Sequence, residues 1–188
     1  MIDRCGPLRA AKLHELVYYG QAWSLGLRDV TLFSAPIHAW ARGPVVFELL
    51  EQHRNRYTVK RVTSGSAEAL SGDDVEFLDA MLTGYRKLGS RKLTELTRSE
   101  APWRLARAAV ASTDDPSAEI TVEHMREYYA QAVPPFALPT AAPAASDETP
   151  ESFATRAGRA AKTAVTSYGV HAAVLVGVAA TYALTRRA

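Results

Sequence analysis

Residues 8–27 constrain the fold of this chain most strongly, because apolar and small side chains recur there at the three- and four-residue spacings of one helix face. The recurring positions are Leu13, Leu16, Val17, Gly20, Trp23 and Ser24. Tyr18 and Tyr19 add bulk, so the segment is predicted to be a helix that runs through or along the core. The Arg28-Asp29 pair predicts where it ends.

His14 lies beside the apolar face of this predicted helix. No second histidine or cysteine accompanies it at the spacing of metal ligands. We therefore expect a surface histidine that forms hydrogen bonds locally, and no catalytic or metal-binding role.

A Gly-Pro pair at residues 43–44 predicts a turn that leads directly into a second helix. Gly43 can adopt backbone angles closed to other residues, and Pro44 suits the first turn of a helix. Apolar residues after it favour one buried helix face, so this helix is predicted to run to about Arg54. Trp40, just before the turn, is expected to be a large aromatic anchor.

A small two-stranded β element is predicted between the helices. Residues 30–41 are interrupted by Pro36 and are expected to form a loop or short extended segment. Residues 57–62 alternate and are rich in β-prone side chains, which predicts a short strand. Its expected partner lies near residues 33–37.

Three polar residues are predicted to cap later helices. Ser71 precedes two aspartates in a close variant of the capping box, Ser90 is expected to cap a short helix, and Thr121 is expected to cap the last helix of the domain. Pro102 marks one more helix start. The carboxylates as a whole are predicted at caps and helix surfaces, and those after Ser71 fit the helix dipole better than a metal site.

The fold class predicted is mainly α: a compact helical domain with a small two-stranded β element at residues 1–132. A linker rich in Pro and Ala, predicted to be disordered or partly extended, follows at residues 133–163. Residues 164–188 are predicted to form a C-terminal apolar helix. Its residues 168–185 include no Asp, Glu, Lys or Arg and are flanked by basic residues. This run fits either a membrane span or an apolar helix that packs on protein.

Composition and motifs exclude several function classes. Lysine and arginine number 22 against 20 acidic residues, and they are interspersed, so a nucleic-acid partner is not expected. The single Cys5 suits a reducing cytoplasm. The N-terminus lacks an apolar run, so no secretory signal is expected. We find no Gly-rich phosphate loop, no histidine pair at metal spacing and no nucleophile elbow. The expectation is a protein that is not an enzyme, with no metal, cofactor or small-molecule substrate.

Four segments in the same order resemble one known family, the Panacea or SocA-like antitoxin domain, also called the phage-associated GepA-like domain. The segments are Lys-Leu-x-x-Leu-x-Tyr-Tyr at residues 12–19, apolar-Trp-x-x-Gly-Pro-Val at 39–45, Leu-x-x-x-Thr-x-x-Glu-x-Pro-Trp at 93–103, and Ile-x-x-x-x-Met-x-x-Tyr-Tyr at 120–129. The resemblance covers roughly residues 8–130. Arg98 stands where the family commonly has a histidine.

The resemblance implies an antitoxin that neutralises a cognate toxin by direct protein–protein binding. The resemblance does not explain the C-terminal tail. From the residues themselves we expect a cytoplasmic protein, which a membrane span at residues 168–185 would tether to the inner face of the membrane. Aromatic and arginine side chains commonly anchor such interfaces. The candidate partner-binding residues are Trp40, Arg42, Trp103, Arg104 and Arg107, with the alternative that both tryptophans are core anchors. The alternative function is a phage- or prophage-derived regulator or anti-defence protein that binds a host factor.

Overall fold

The computed structural model describes residues 1–63, 67–110 and 118–139. These residues form seven α-helices and five short strands. In chain order they are α1 (Ile2–Cys5), β1 (Leu8–Arg9), α2 (Ala10–Arg28), β2 (Ile37–Trp40), β3 (Gly43–Val46), α3 (Phe47–His53), β4 (Thr58–Val59), α4 (Gly72–Tyr85), α5 (Ser90–Ser99), α6 (Ala101–Ala108), β5 (Glu119–Ile120) and α7 (Val122–Gln131). The prediction of a mainly helical fold with a small β element is confirmed, although the β structure of the described residues has five strands rather than the two predicted.

The chain divides into two units, Met1–Thr140 and Ala141–Ala188. Most of the predicted linker, and the whole of the predicted C-terminal helix, lie outside the described residues. Within the described ranges, no helix is long and apolar enough to cross a membrane.

Helix α2 is the central element, and the prediction that it runs through the core is confirmed. It is buried on almost every side, including at the polar residues His14, Glu15 and Gln21. Gln21 satisfies its amide on the following loop: its Oε1 accepts from the backbone N–H of Leu32 at 2.9 Å, and its Nε2 donates to the carbonyl of Phe33 at 2.9 Å. The loop after α2 is therefore held against the helix by one buried side chain.

The predicted start of the second helix at Pro44 is wrong. Gly43–Val46 is strand β3, which pairs antiparallel with β2 so that Trp40 faces Gly43, and α3 begins only at Phe47. Gly43 has a φ of 122° and permits the tight turn through Ala41 and Arg42. Pro44 is tolerated because β3 is the edge strand of the sheet β3-β2-β5.

The predicted strand at residues 57–62 exists as β4, but its expected partner is wrong. β4 pairs with β1, where Val59 faces Leu8. Residues 33–37 cannot take β4, because Ile37 already faces Val46 on one side and Ile120 on the other. The β structure therefore consists of one two-stranded and one three-stranded antiparallel sheet.

Two of the three predicted caps are confirmed. The Ser71 hydroxyl accepts from the Asp74 backbone in a complete capping box, and the Thr121 hydroxyl accepts from the backbone of His124. The Ser90 cap is wrong, because Gly89 occupies the N-cap and Ser90 is the first residue of α5.

Helix α7 packs directly along α2, and Gly26 makes this approach possible. A Cβ at Gly26 would lie 2.4 Å from the carbonyl carbon of Tyr129. Beyond α7, the buried Phe136 contacts Trp23 and Phe77, with ring centroids 5.6 and 6.2 Å apart. The segment after α7 thus closes one end of the core.

We predict that Gly26→Ala destabilises the domain although alanine is the better helix former. Helix propensity would stabilise by about 1 kcal/mol, whereas overpacking against the α7 backbone costs about 1–3 kcal/mol. Urea unfolding of the full chain measures the difference. The matched control is Gly72→Ala, where a new Cβ meets nothing within 4 Å and stability should be unchanged or slightly higher. Equal behaviour of the two variants would contradict the close α2–α7 contact.

Candidate functional site

A buried carboxylate on α2 is the first part of the site. Glu15 is only 1% exposed. Its Oε1 accepts from the Thr94 hydroxyl and its Oε2 from the Thr97 hydroxyl, each at 2.6 Å. The two threonines are three residues apart on α5, so they lie on one face of that helix and reach both carboxylate oxygens. The third neighbour is Gly43, where a Cβ would lie 2.6 Å from Oε1.

A second carboxylate lies at the junction of α5 and α6. Glu100 is the C-cap of α5 and the N-cap of α6. Its Oε2 accepts from the Tyr129 hydroxyl at 2.6 Å and its Oε1 from the Tyr19 hydroxyl at 3.2 Å. The Tyr129 hydroxyl also lies 3.2 Å from that of Tyr18. One carboxylate thus connects α2, α7 and the α5–α6 corner.

The two carboxylates belong to one hydrogen-bonded network. The Thr97 hydroxyl, which binds Glu15, also lies 3.2 Å from the hydroxyl of Tyr19, which binds Glu100. We call the set of Glu15, Tyr18, Tyr19, Thr94, Thr97, Glu100 and Tyr129 the glutamate–tyrosine network.

The network holds two acids without a base. Within the described ranges, no lysine, arginine or histidine forms a salt bridge with Glu15 or Glu100. Burial raises the pKa of Glu15 to about 7, and the two threonine hydroxyls only partly oppose this. Burial also raises the pKa of Glu100 to about 7, and the charge of Glu15 adds to the effect. Both carboxyl groups therefore titrate near neutral pH, where ordinary surface glutamates are fully ionised.

The network brings together residues from all four of the sequence segments that resemble the family. The first segment supplies Tyr18 and Tyr19, the second supplies Gly43, the third supplies Thr97 and Glu100, and the fourth ends on Tyr129. The prediction that carboxylates lie at caps and surfaces is wrong for Glu15 and incomplete for Glu100, which caps α6 while its side chain is mostly buried. Motif positions separated by up to about 110 residues converge on one cluster of hydroxyl and carboxyl groups.

His14 is not the surface residue that the sequence predicts. It is buried, and its Nε2 lies 2.8 Å from Nε2 of His53 on α3. Its Nδ1 accepts from the backbone N–H of Val46 at 3.2 Å, so the ring proton is on Nε2 and points to His53. Burial, with the charge of His53, lowers the pKa of His14 to about 4. In the part of the chain that the structure describes, no group of three or more His, Cys, Asp or Glu is placed to hold a metal ion.

Two of the predicted partner-binding residues lie on the β2–β3 hairpin. Arg42 is exposed in the turn. Trp40 is half-buried against Phe47, with ring centroids 5.5 Å apart in a T-shaped contact. Its indole N–H is buried and has no hydrogen-bond partner among the described residues. The tryptophan therefore supports the hairpin, while the arginine is available to solvent.

The other three predicted partner-binding residues lie on α6. Trp103 is half-buried beneath the guanidinium of Arg98, which lies 5.3 Å from the ring centroid. Arg104 is exposed. Arg107 is half-buried, and its Nη1 donates to the carbonyl of Ala39 at 3.1 Å. This bond brings α6 beside the hairpin, so the structure places the two groups of predicted residues on neighbouring elements.

Sequence reasoning missed the residues with the most perturbed environment, Glu15 and Glu100. A signal existed for Glu15, because it occurs within an otherwise apolar helix next to Leu16. Thr94 and Thr97 gave a second signal as hydroxyls on one helix face. Neither signal identifies the other, since 79 residues separate Glu15 from Thr94.

Comparison with known proteins gives one match. The family model described as antitoxin SocA-like, Panacea domain, matches residues 13–104. No curated protein matches the chain. No solved structure matches it either. The matched range begins just before Glu15 and ends just after Glu100, so both carboxylates of the network lie within it.

We predict that Glu15→Gln removes the part of the pH dependence of stability that comes from this carboxyl group. The pKa of Glu15 in the folded state, about 7, lies above its ordinary value of 4.5. Its contribution to stability is therefore fully present below about pH 4.5 and is lost as the pH rises through about 7. Glutamine fits the same space and does not titrate. Relative to the wild type, the variant should gain about 2 kcal/mol in unfolding free energy between about pH 5 and about pH 7.5.

Urea unfolding of both full chains at the two pH values measures this gain. Glu95→Gln is the control, because Glu95 is exposed and pairs with Arg91 on the surface of α5. The control should follow the wild-type pH dependence. If Glu15→Gln also follows it, the carboxyl of Glu15 is not held in the buried state described.

Proposed function

We propose that this protein, whose residues 13–104 are a Panacea domain of the antitoxin SocA-like family, neutralises a cognate toxin by binding it directly. The family indicates an antitoxin-type role. The observation that carries the finer proposal is the convergence of the motif residues on a buried network. A network that links α2, α5, α6, α7 and the hairpin stabilises a scaffold, which leaves the exposed surface free for recognition.

The proposed interface is the exposed edge formed by the hairpin turn and α6. Arg42 is exposed at the turn, Arg104 is exposed on α6, and the adjacent Leu105 is 48% exposed. Arginine beside an exposed apolar side chain is typical of residues that dominate binding energy. Trp40, Trp103 and Arg107 support this edge from beneath, because each is half-buried.

The proposal assigns the protein a binding role rather than a catalytic one, and it places that role in the cytoplasm. Residues 168–185, outside the described ranges, would tether the protein to the inner face of the membrane if they span it. Fractionation of cells that express the full chain or a chain ending at residue 163 tests the tether. Recovery of the full chain in the soluble fraction alone would exclude it.

The test of neutralisation is co-expression with the product of the neighbouring gene. We expect the neighbour alone to arrest growth, this chain to restore it, and the two proteins to purify as a complex. Absence of both rescue and complex with every neighbouring product would refute the antitoxin function. A complex with a host factor in place of a toxin would instead support a regulator or anti-defence protein.

We predict that Arg42→Ala and Arg104→Ala each weaken toxin binding without unfolding the domain. Truncation of an arginine that anchors an interface costs about 2 kcal/mol, which corresponds to roughly 30-fold in affinity. Isothermal titration with the purified toxin measures the change, and circular dichroism checks the fold. Arg91→Ala is the matched control, because Arg91 is 94% exposed on α5 and makes only a surface pair with Glu95. Loss of affinity in the control but not in the two variants would place the interface elsewhere.

A further inference from the structure

A cavity lies beside Glu100, between the α5–α6 junction and the C-terminal end of α7. It has a volume of about 230 Å³. We call it the aromatic cavity, and it is lined by Trp23, Tyr85, Glu100, Tyr128, Tyr129 and Val133, among others. Its floor is buried, since Trp23, Tyr85 and Tyr129 are at most 4% exposed, whereas Val133 at its rim is 89% exposed. A ligand could therefore enter from solvent and reach a buried carboxyl group.

The rings around the cavity stand at steep angles to one another. Trp23 and Tyr129 make a T-shaped contact with centroids 4.6 Å apart and planes at 72°. Tyr128 and Tyr129 make another with centroids 5.1 Å apart and planes at 82°. The lining therefore contains several aromatic rings in different orientations, and the faces of aromatic rings carry partial negative charge, which attracts cations.

The charge of the cavity is unbalanced. Among the described residues that line the cavity, Glu100 is the one acidic residue, and none is a lysine, arginine or histidine. Two tyrosine hydroxyls donate to Glu100, but neither carries positive charge. A buried carboxylate is stabilised far more by a paired cation than by neutral donors alone.

The size of the cavity limits what it can hold. Pockets that bind drug-sized molecules have volumes of roughly 300–1,000 Å³. The aromatic cavity is smaller than that, at about 230 Å³. It suits one amino-acid side chain with a charged end rather than a whole metabolite.

We propose that the aromatic cavity receives one cationic side chain, a lysine or arginine, presented by the partner protein, with its charged end at Glu100 and its stem among the rings. The source of the cation rests on the proposed antitoxin function. The chemistry of the cavity does not, because small cations that mimic the side chain should bind to it alone. This second, smaller contact is separate from the hairpin and α6 edge.

The test titrates the full chain with n-butylammonium and n-butylguanidinium, followed through the indole N–H signals in nitrogen–proton NMR spectra. The chain has three tryptophans, and Trp23 alone of these lines the cavity. We expect its signal to shift saturably, with half-saturation on the order of 1–10 mM, while those of Trp40 and Trp103 stay in place. The neutral n-butanol should cause no comparable shift. An equal shift with n-butanol, or no saturable shift with either cation, would overturn the proposal.

Two variants separate the cavity from the stability of the network. Glu100→Gln should weaken the binding of both cations at least 10-fold. Because Glu100 also supports the fold, Ala132→Leu provides an independent variant. Ala132 lines the cavity, so a larger side chain there reduces its volume while the Glu100 carboxyl is retained, and it should cause a similar loss. Ala130→Leu, at an exposed position in the last turn of α7, is the matched control and should bind normally. Undiminished binding in Ala132→Leu would show that the cations bind outside the cavity.

The partner arm uses the toxin once it is identified by co-expression. Ala132→Leu should then weaken the toxin complex at least 10-fold and Ala130→Leu should not. If no toxin exists but the cations bind, the antitoxin function fails and the cavity stands. If the toxin binds Ala132→Leu normally, the cavity is not part of that interface and the proposal fails while the antitoxin function stands.

Discussion

The buried carboxylate of Glu15 is the interaction on which the rest of the structure depends. A carboxylate 1% exposed and without a cation can be stable only if hydroxyl groups reach both of its oxygens. That requirement fixes the rotation and distance of α5, because Thr94 and Thr97 must face α2 together. It also removes space for any side chain at residue 43, since the hairpin backbone passes directly over Oε1. The position of the hairpin therefore follows from the chemistry of a residue 28 positions earlier in the chain.

The elements that were predictable from sequence are those fixed by local rules. Helix α2 shows its periodicity, and Ser71 and Thr121 show their caps, because each of these signals operates within about one helical turn. The Gly43-Pro44 pair misled the prediction, since a glycine with unusual angles followed by proline suits a hairpin with an edge strand as well as a helix start. Only the pairing of β2 with β3 and β5 decides between them.

The candidate site could not be predicted by local rules, because its residues come together only when the chain folds. His14 lies on the surface of an isolated α2, and only the fold brings His53 within 2.8 Å of it. Glu15 and Glu100 are 85 residues apart, yet the charge of one raises the pKa of the other. The resemblance to a family grouped the right segments, but it could not show that their shared residues form a buried network. The network residues from the four segments therefore build the scaffold, whereas Arg42 and Arg104 are exposed on its surface.

Two buried systems act on stability in opposite directions as the pH changes. The pKa of His14 in the folded state, about 4, lies below the ordinary 6.5, so its contribution is lost as the pH falls from about 6.5 to about 4. The pKa values of Glu15 and Glu100 are raised to about 7, so their contribution is lost as the pH rises from about 4.5 to about 7. Below about pH 6.5 the effects of His14 and of the two carboxyl groups on the unfolding free energy partly cancel. Above that pH, of these three groups, the two carboxyl groups alone change it. A cation that paired with Glu100 would remove part of the cost on the neutral side. The partner proposed for the aromatic cavity would thus stabilise the domain most near neutral pH, where ionisation of the two buried carboxyl groups destabilises the free protein most.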